Sequence, residues 1–574
     1  MTAIPEVLRE RASLQPGDPA FTYVDYDQDP AGISETLTWS QMYRRVRAVA
    51  AALRAHGGDG DRALILAPQG LDYVAAFLGA LEAGFVAVPL SVPLPGTHDE
   101  RVNLVLGDCD PVAILATSAV FGSVGEYLEQ QRPEYLPALI EVDTMASDGA
   151  RGTAGDHTGT ALLQYTSGST RQPTGVMVSH RNLVANFEQV MTGYYGDTGG
   201  VAPPGTTVVS WLPFYHDMGL FIGVCAPILA GLHSVLTSPV AFLVRPARWM
   251  QLMADHNRVF TPAPNFALEL AVRKTTDDDM AGRDLAGVTH VVCGAERIHV
   301  ATVRRFLDRF APYHLRPESI RPSYGLAEAT VYVAARAPGY APNIVHFAGD
   351  KLSAGHAERS DDRDGTALLS YGVPLSPAVR IVEPETATEN PAGRVGEIWV
   401  HGDNVAQGYW RQPEKSAEVF EARLTDPSPG TPADPWLRTG DLGVISDGEL
   451  FIVGRSKDLV IIDGRNHYPD DLEATVQEIS GGRVAAISVP GPGRERLVLV
   501  VELRIRPDSA PEEAASRIDT VKRAVTAAIS LVHTVSVADV VLVAPGSIPI
   551  TTSGKIRRAA CADRYRGGQF TRLG

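Results

Sequence analysis

Two short apolar runs separated by one helical segment, between residues 63 and 90, limit what this chain can fold into. Residues 63–67 (Ala-Leu-Ile-Leu-Ala) form the first run. Residues 71–83 then carry a helical pattern that Gly84 stops, and residues 85–90, with Val86 and Val88, form the second run. Strand, helix and strand at this spacing specify parallel β units covered on both faces. A helix over 40–56 precedes them, with a stripe of Met42, Val46, Val49, Ala50 and Leu53 ending at Gly57. Apolar runs at 208–212, 259–261 and 288–293 continue the alternation, so the large N-terminal part reads as α/β.

The 574 residues suggest about four domain-sized units. Fifty-one Lys and Arg against 67 Asp and Glu give a net charge of −16, which argues against general nucleic-acid binding. A local basic patch for an acidic carrier stays open. Cys109, Cys225, Cys293 and Cys561 are scattered without C-x-x-C pairing, which fits a reduced, cytoplasmic chain and offers no metal site. Glu6, Arg9, Glu10 and Arg11 rule out a secretory signal. The most apolar stretch, 218–232, is shorter than the ~20 residues a membrane span needs and contains Pro227. It reads as a buried segment beside an apolar ligand, with no stable membrane insertion.

Polar, Gly/Pro-rich loops fall at 147–160, 353–366, 383–394 and 425–435; the second is the most charged. A boundary falls near Gly454-Arg455-Ser456-Lys457-Asp458, dividing 1–454 from 455–574. Beyond it come a turn at 463–466, a helix from Pro469, an apolar run at 497–503, a helix within 511–531 and a run at 540–544. That order makes a small α+β unit.

The loop Tyr165-Thr166-Ser167-Gly168-Ser169-Thr170-Arg171-Gln172-Pro173-Thr174-Gly175 packs five Ser/Thr hydroxyls between an apolar run and a helix expected near His180. Bare N–H groups and hydroxyls suit a polyphosphate. It is not a Walker A loop, because Pro173 stands where the second glycine belongs. On its own a polar surface loop explains it as well. Further motifs follow: Trp211-Leu-Pro-Phe-Tyr-His216-Asp-Met-Gly219, Gly294-Ala295-Glu296, Ser323-Tyr324-Gly325-Leu326-Ala327-Glu328, Arg438-Thr439-Gly440-Asp441, Arg455-Ser-Lys457-Asp458 and Ser553-Gly554-Lys555. Each is weak alone. A lone histidine is more often structural, and Gly-Asp is more often a turn.

In this order, over nearly the whole chain, these motifs closely resemble the adenylate-forming enzymes: acyl-CoA synthetases, nonribosomal-peptide adenylation domains and luciferases. Within that superfamily the chain looks most like the fatty acyl-AMP ligases. The marks are Pro95-Gly-Thr-His-Asp-Glu-Arg101, Arg171 and Thr174 where most acyl-CoA synthetases have Gly and Lys, the run from Gly464 to Glu473, and an extra segment between Val345 and Leu369. The resemblance implies a large α/β domain with parallel-type sheets and a smaller β subdomain, followed by a small mobile α+β domain carrying a catalytic lysine.

It further implies attack of a fatty acid carboxylate on the α-phosphorus of ATP, expelling pyrophosphate. The obstacle is negative charge approaching negative charge, so positioned cations and N–H donors matter most. By resemblance Thr166, Ser167, Gly168, Ser169, Thr170 and Gly175 hold the β- and γ-phosphates. Thr174 removes a charge there, for which Arg171 is one substitute. Glu328 holds Mg²⁺, Tyr324 stacks on adenine with Ser323, Gly325, Gly294, Ala295 and Glu296 around it, and Asp441 and Arg455 face the ribose. Lys555 bridges the carboxylate and the α-phosphate, and His216 sits by the carboxylate. Ala327 departs from the superfamily's usual threonine at the α-phosphate. After adenylation the small domain turns about Lys457-Asp458, withdrawing Lys555 and bringing up the Gly464 loop. The extra segment, anchored by Phe347, Leu352, Leu368 and Leu369, would limit that rotation, although ordinary core explains those residues equally.

The expected partner is the phosphopantetheine thiol of an acyl carrier protein, supplied in trans because the sequence runs only 19 residues past Lys555. Polyketide or lipopeptide assembly would use the product. The alternatives are a fatty acyl-CoA synthetase, a non-catalytic binding module that should lack Lys555, Glu328 or Asp441, and a domain cut from a larger synthetase.

Overall fold

The computed structural model describes residues 3–93, 99–131, 136–146, 155, 157–166, 174–361, 365–432, 435–462, 465–491, 495–506, 510–533, 535–551 and 555–573. The run at 63–67 forms strand Arg62–Ile65, the helix is Leu71–Glu82, and the next run is strand Val86–Pro89. The two strands pair in parallel, Arg62 against Val86 and Ile65 against Pro89. They belong to a six-stranded sheet ordered Ala138–Glu141, Ala113–Ala116, Arg62–Ile65, Val86–Pro89, Thr160–Thr166, Thr174–Ser179. Only its last pair is antiparallel.

A second, eight-stranded sheet contains the parallel strands Ile320–Tyr324, Val288–Gly294, Val259–Pro264, Thr207–Ser210, His233–Leu236 and Pro19–Asp25, with an antiparallel strand at each end. Both sheets feed one hydrophobic core with helices Trp39–Arg54, Leu71–Glu82 and His180–Tyr195. Apart from Asp72, every residue of Leu71–Glu82 is buried, as expected of a helix that is apolar all round. Gly79 lets it lie against Trp39–Arg54, since a Cβ there would overlap Val49. Residues 218–232 are largely buried, and their helix widens into a π turn at Phe221–Cys225.

A five-stranded antiparallel sheet follows, built on Ala378–Glu383, Gly396–His401, Leu437–Ser446 and Glu449–Arg455. The loop expected at 383–394 is a hairpin closed by the short strand Thr388–Glu389. The charged segment is partly ordered by pairing: Ile344–Phe347 lies against Thr366–Leu369, with helix Gly349–Ser353 between. Phe347, Leu352 and Leu368 are buried with Leu442, Val444, Phe451 and Val453 of the sheet and with Tyr468 beyond the expected boundary. Leu369 belongs to the main core instead.

The C-terminal unit has a three-stranded sheet, Val484–Pro490, Glu495–Glu502 and Val537–Val543, with helices Pro469–Ser480, Pro511–His533 and Arg558–Arg566. Strand Val484–Pro490 carries no mark in the sequence reading. One side of the sheet packs on Leu472, Val476, Val525 and Ile529, the other on Ile548 and Cys561.

Arg558 ties the segment that carries Lys555 to the rest of this unit. Its guanidinium meets Asp458 at 2.9 Å and Asp470 and Glu473 at 2.7 Å. Burial pushes Glu473 up to about 6 even with that cation beside it. Three carboxylates around one mostly buried cation lose their neutralising charge when it goes, which costs about 3–5 kcal/mol. Arg558→Met is therefore expected to lower the urea midpoint at pH 8. Because Glu473 is easier to protonate folded than unfolded, its contribution is favourable at low pH and is lost as pH rises through its folded value. The deficit of the variant should be smaller at pH 5; equal deficits at both pH values would refute this.

Candidate active site

A cavity of about 640 Å³ opens where the two parallel sheets, the antiparallel sheet and the C-terminal unit meet. Its wall takes Thr166, Gly294 and Tyr324 from the carboxyl ends of their strands, the side on which α/β sheets bind ligands. Ala295, Ser323, Gly325, Leu326, Ala327, Glu328, His216, Arg455 and Lys555 join them. The named residues alone run from Thr166 to Lys555 in the sequence.

The turn after Ile320–Tyr324 is tight because Gly325 passes the Val331 carbonyl where no Cβ fits. Gly294 similarly passes the Ser323 carbonyl, and Ala295 then takes a left-handed φ of 65°. The Tyr324 phenol donates to Asp441 Oδ2 at 2.8 Å, and Arg455 Nε donates to Oδ1 at 2.9 Å. Asp441 and Arg455 face each other across neighbouring antiparallel strands, so register fixes this pair. Burial and the Asp441 charge raise the Tyr324 phenol well above its ordinary range, and it stays a donor.

On another wall, the Tyr409 phenol donates to Glu328 Oε1 at 2.9 Å. His216 caps the short helix Asp217–Leu220, its Nδ1 2.6 Å from Asp217 Oδ1. Burial works to raise Asp217, but the charges of His216 and Lys555 bring it below the usual carboxylate value. Lys555 enters from the C-terminal unit. Desolvation and the Arg455 charge lower its ammonium from the usual lysine value, while Asp217, Glu296 and Asp441 oppose that shift. The less polar part of the lining includes Val190, Tyr194, Met218, Ile222, Val292 and Tyr332.

Several expected residues fall elsewhere. Ser167, Gly168, Ser169, Thr170 and Arg171 lie outside the described residues, as do Gly464 and Gly554. Gly175 is not on the wall; it packs against the Tyr165 ring and its carbonyl accepts from Trp410 N at 2.8 Å. The Glu296 carboxylate is also off the wall. It accepts from Phe266 N at 2.7 Å, at the start of helix Asn265–Lys274, where orphan N–H groups favour an acid. Burial raises its pKa. Asp441 is buried next to the lining residues Thr439 and Gly440, with both oxygens accepting protein donors. Sequence reasoning passed over Asp217, though it sits inside a motif that was quoted. Tyr409 and Lys415 had no local signal, because only the fold brings their segment to Glu328 and Thr174.

The pattern describing AMP-binding enzymes matches residues 8–410. A long-chain-fatty-acid–AMP ligase of Mycobacterium marinum is 59% identical over 100% of this chain and 98% of its own. A Mycobacterium tuberculosis protein provisionally named a fatty-acid–CoA ligase is also 59% identical, over 100% of this chain and 99% of its own. Among solved structures, a fatty acyl-adenylate ligase from Legionella pneumophila, in complex with acyl adenylate and pyrophosphate, aligns at TM-score 0.75 and 30% identity. That alignment covers 100% of this chain and 97% of the other. The chain belongs to the AMP-binding enzyme family and, within it, to the fatty acyl-AMP ligases, which join a fatty acid to AMP.

Tyr324→Phe keeps the ring and removes only the donor to Asp441. A buried acceptor that loses its partner costs about 1–3 kcal/mol. Urea denaturation without ligand should show that loss, and a midpoint unchanged from wild type would mean the bond does not stabilise the site.

Proposed function

We propose that the protein uses ATP and Mg²⁺ to adenylate a fatty acid and then passes the acyl group to the phosphopantetheine thiol of an acyl carrier protein supplied in trans. The observation that carries the first half is the Lys555 ammonium inside the same cavity as His216, Tyr324 and Glu328. A carboxylate oxygen bonds to the α-phosphorus, the bond to the β-phosphate oxygen breaks, and pyrophosphate leaves with its electron pair. Lys555 and the imidazole of His216 offset the charge of the approaching carboxylate. Asp217, 2.6 Å from Nδ1, accepts from that nitrogen and orients the ring.

Tyr324 covers the adenine, backed by Gly294, Ala295, Ser323 and Gly325. Asp441 and Arg455 meet the ribose, Asp441 through acceptor capacity left beyond its two protein donors. Thr166 and the loop through Ser167, Gly168, Ser169 and Thr170 take the phosphates. Among the described residues no three His, Cys, Asp or Glu converge on one point. Glu328, a hard oxygen donor with one oxygen held by Tyr409, would hold Mg²⁺, and the ion would supply charge neutralisation on the phosphates.

Val190, Met218, Ile222 and Val292, which line the cavity, offer the fatty chain an apolar surface. Among the described residues no helix is long and apolar enough to cross a membrane, and the scattered buried thiols suit a cytoplasmic setting. The carrier as acceptor is supported by the segment around Phe347, Leu352 and Leu368. Those residues bridge the antiparallel sheet to Tyr468, and so resist rotation of residues 455–574 about Lys457 and Asp458. The relatives named as CoA ligases favour a rival reading with free coenzyme A as acceptor.

Product analysis with ATP, Mg²⁺ and a ladder of fatty acids, with and without coenzyme A, tests both halves. Acyl-AMP that persists when coenzyme A is added, and is consumed by a phosphopantetheinylated carrier, is the expected result. Rapid conversion to acyl-CoA would overturn the acceptor assignment. Lys555→Ala should lower the adenylation rate by about 10²–10³. Since Lys555 acts as a cation and its pKa is lowered, the rate should fall on the alkaline side with a midpoint below 10.5. Lys555→Arg should flatten that limb, and a limb unmoved by it would exclude Lys555 as its source.

A further inference from the structure

The antiparallel ladder of the six-stranded sheet ends with Thr166 opposite Thr174, so these two residues bracket the loop 167–173. Neither carries charge. A cation nevertheless stands at this end of the ladder. Lys415 Nζ donates to Thr174 Oγ1 at 3.1 Å and lies 4.7 Å from the centre of the Tyr409 ring. Thr166, Thr174, Glu328, Tyr409 and Lys415 all line the cavity.

The backbone sets this position. Residues 405–410 run along strand Thr174–Ser179, with Met177 N donating to Gly408 O at 2.9 Å and Trp410 N donating to Gly175 O at 2.8 Å. Helix Pro413–Phe420 starts immediately afterwards, and its Ser416 Oγ accepts from Tyr409 N at 2.8 Å. Lys415 is thereby held opposite Thr174 on a helix. Its described partners are a neutral hydroxyl and an aromatic face, neither of which cancels its charge. An ammonium aimed into a cavity with such partners is poised for an anion. Glu328, one residue away through Tyr409, is the proposed Mg²⁺ ligand, so the same anion would lie between the two.

We propose that Lys415 contacts the pyrophosphate portion of the nucleotide and stabilises it as it departs, supplying from a different element the charge that Thr174 lacks. This rests on the reading of the cavity as an ATP site. The competing role is a structural one, in which Lys415 only braces Thr174 and Tyr409.

ATP–pyrophosphate exchange with the full chain separates these roles. Lys415→Met keeps the stem and deletes the charge; Lys415→Arg keeps the charge. Charge-assisted hydrogen bonds to phosphate predict that Lys415→Met raises the KM for pyrophosphate and ATP about tenfold or more. Inhibition by AMP and the KM for the fatty acid should stay within about twofold, because neither reaches the β- and γ-phosphates. Lys415→Arg should stay near wild type. A Met variant with unchanged pyrophosphate KM would overturn the proposal. So would one in which AMP and pyrophosphate weaken together, since that marks a bracing role. Wild-type protein that shows no exchange would instead refute the reading of the cavity, and the proposal with it.

Discussion

A partly buried lysine ammonium, brought into the cavity from the C-terminal unit, is the constraint on which the site depends. Desolvation and Arg455 both disfavour the charged form of Lys555. It is kept as a cation by Asp217, Glu296 and Asp441, each of which has further work. Asp217 sits on His216, Glu296 on the start of helix Asn265–Lys274, and Asp441 takes Tyr324 and Arg455. The charges form a coupled set in which removing one partner leaves others buried and unbalanced. The result suits the proposed chemistry, since an anion meeting another anion needs cations already in place.

The same set explains why the C-terminal unit docks as it does. Arg297 meets Asp471 at 2.6 Å and Arg305 meets Glu478 at 2.8 Å, both across the junction with helix Pro469–Ser480. Arg558 gathers Asp458, Asp470 and Glu473 on the C-terminal side. Exposed ion pairs such as Arg305–Glu478 contribute little, about 0–1 kcal/mol each, and orient the docking more than they hold it. The apolar contact of Phe347, Leu352 and Leu368 with Tyr468 carries no such screening. The C-terminal unit is thus held by polar pairs, one of them largely buried, together with an apolar cluster.

Much of the frame was legible because local patterns and burial coincide. The runs at 63–67 and 85–90 became parallel strands, the helix at 71–83 filled the space between sheets, and helix Pro469–Ser480 began at its proline. Glycines were readable at Gly294 and Gly325, where a side chain would collide with a backbone carbonyl. The loop at 383–394 hid a hairpin, because a strand as short and polar as Thr388–Glu389 takes its stability from its partner rather than from its own composition; strand Val484–Pro490 is apolar and mostly buried, and it simply went unmarked. The motif position of Glu296 gave no sign that its carboxylate would accept from Phe266 N.

The sequence by itself determined the α/β order, the net acidic charge and the identity of several polar residues that line the cavity. These follow from periodicity, composition and motif order, which are properties of the chain read in one direction. Only the tertiary structure decided which of those residues meet. Asp441 faces Arg455 through strand register, Tyr409 reaches Glu328 through a segment laid along Thr174–Ser179, and Lys415 stands beside Thr174 from 241 residues away. Such pairings depend on how sheets and helices pack, and packing distance bears no relation to distance along the chain.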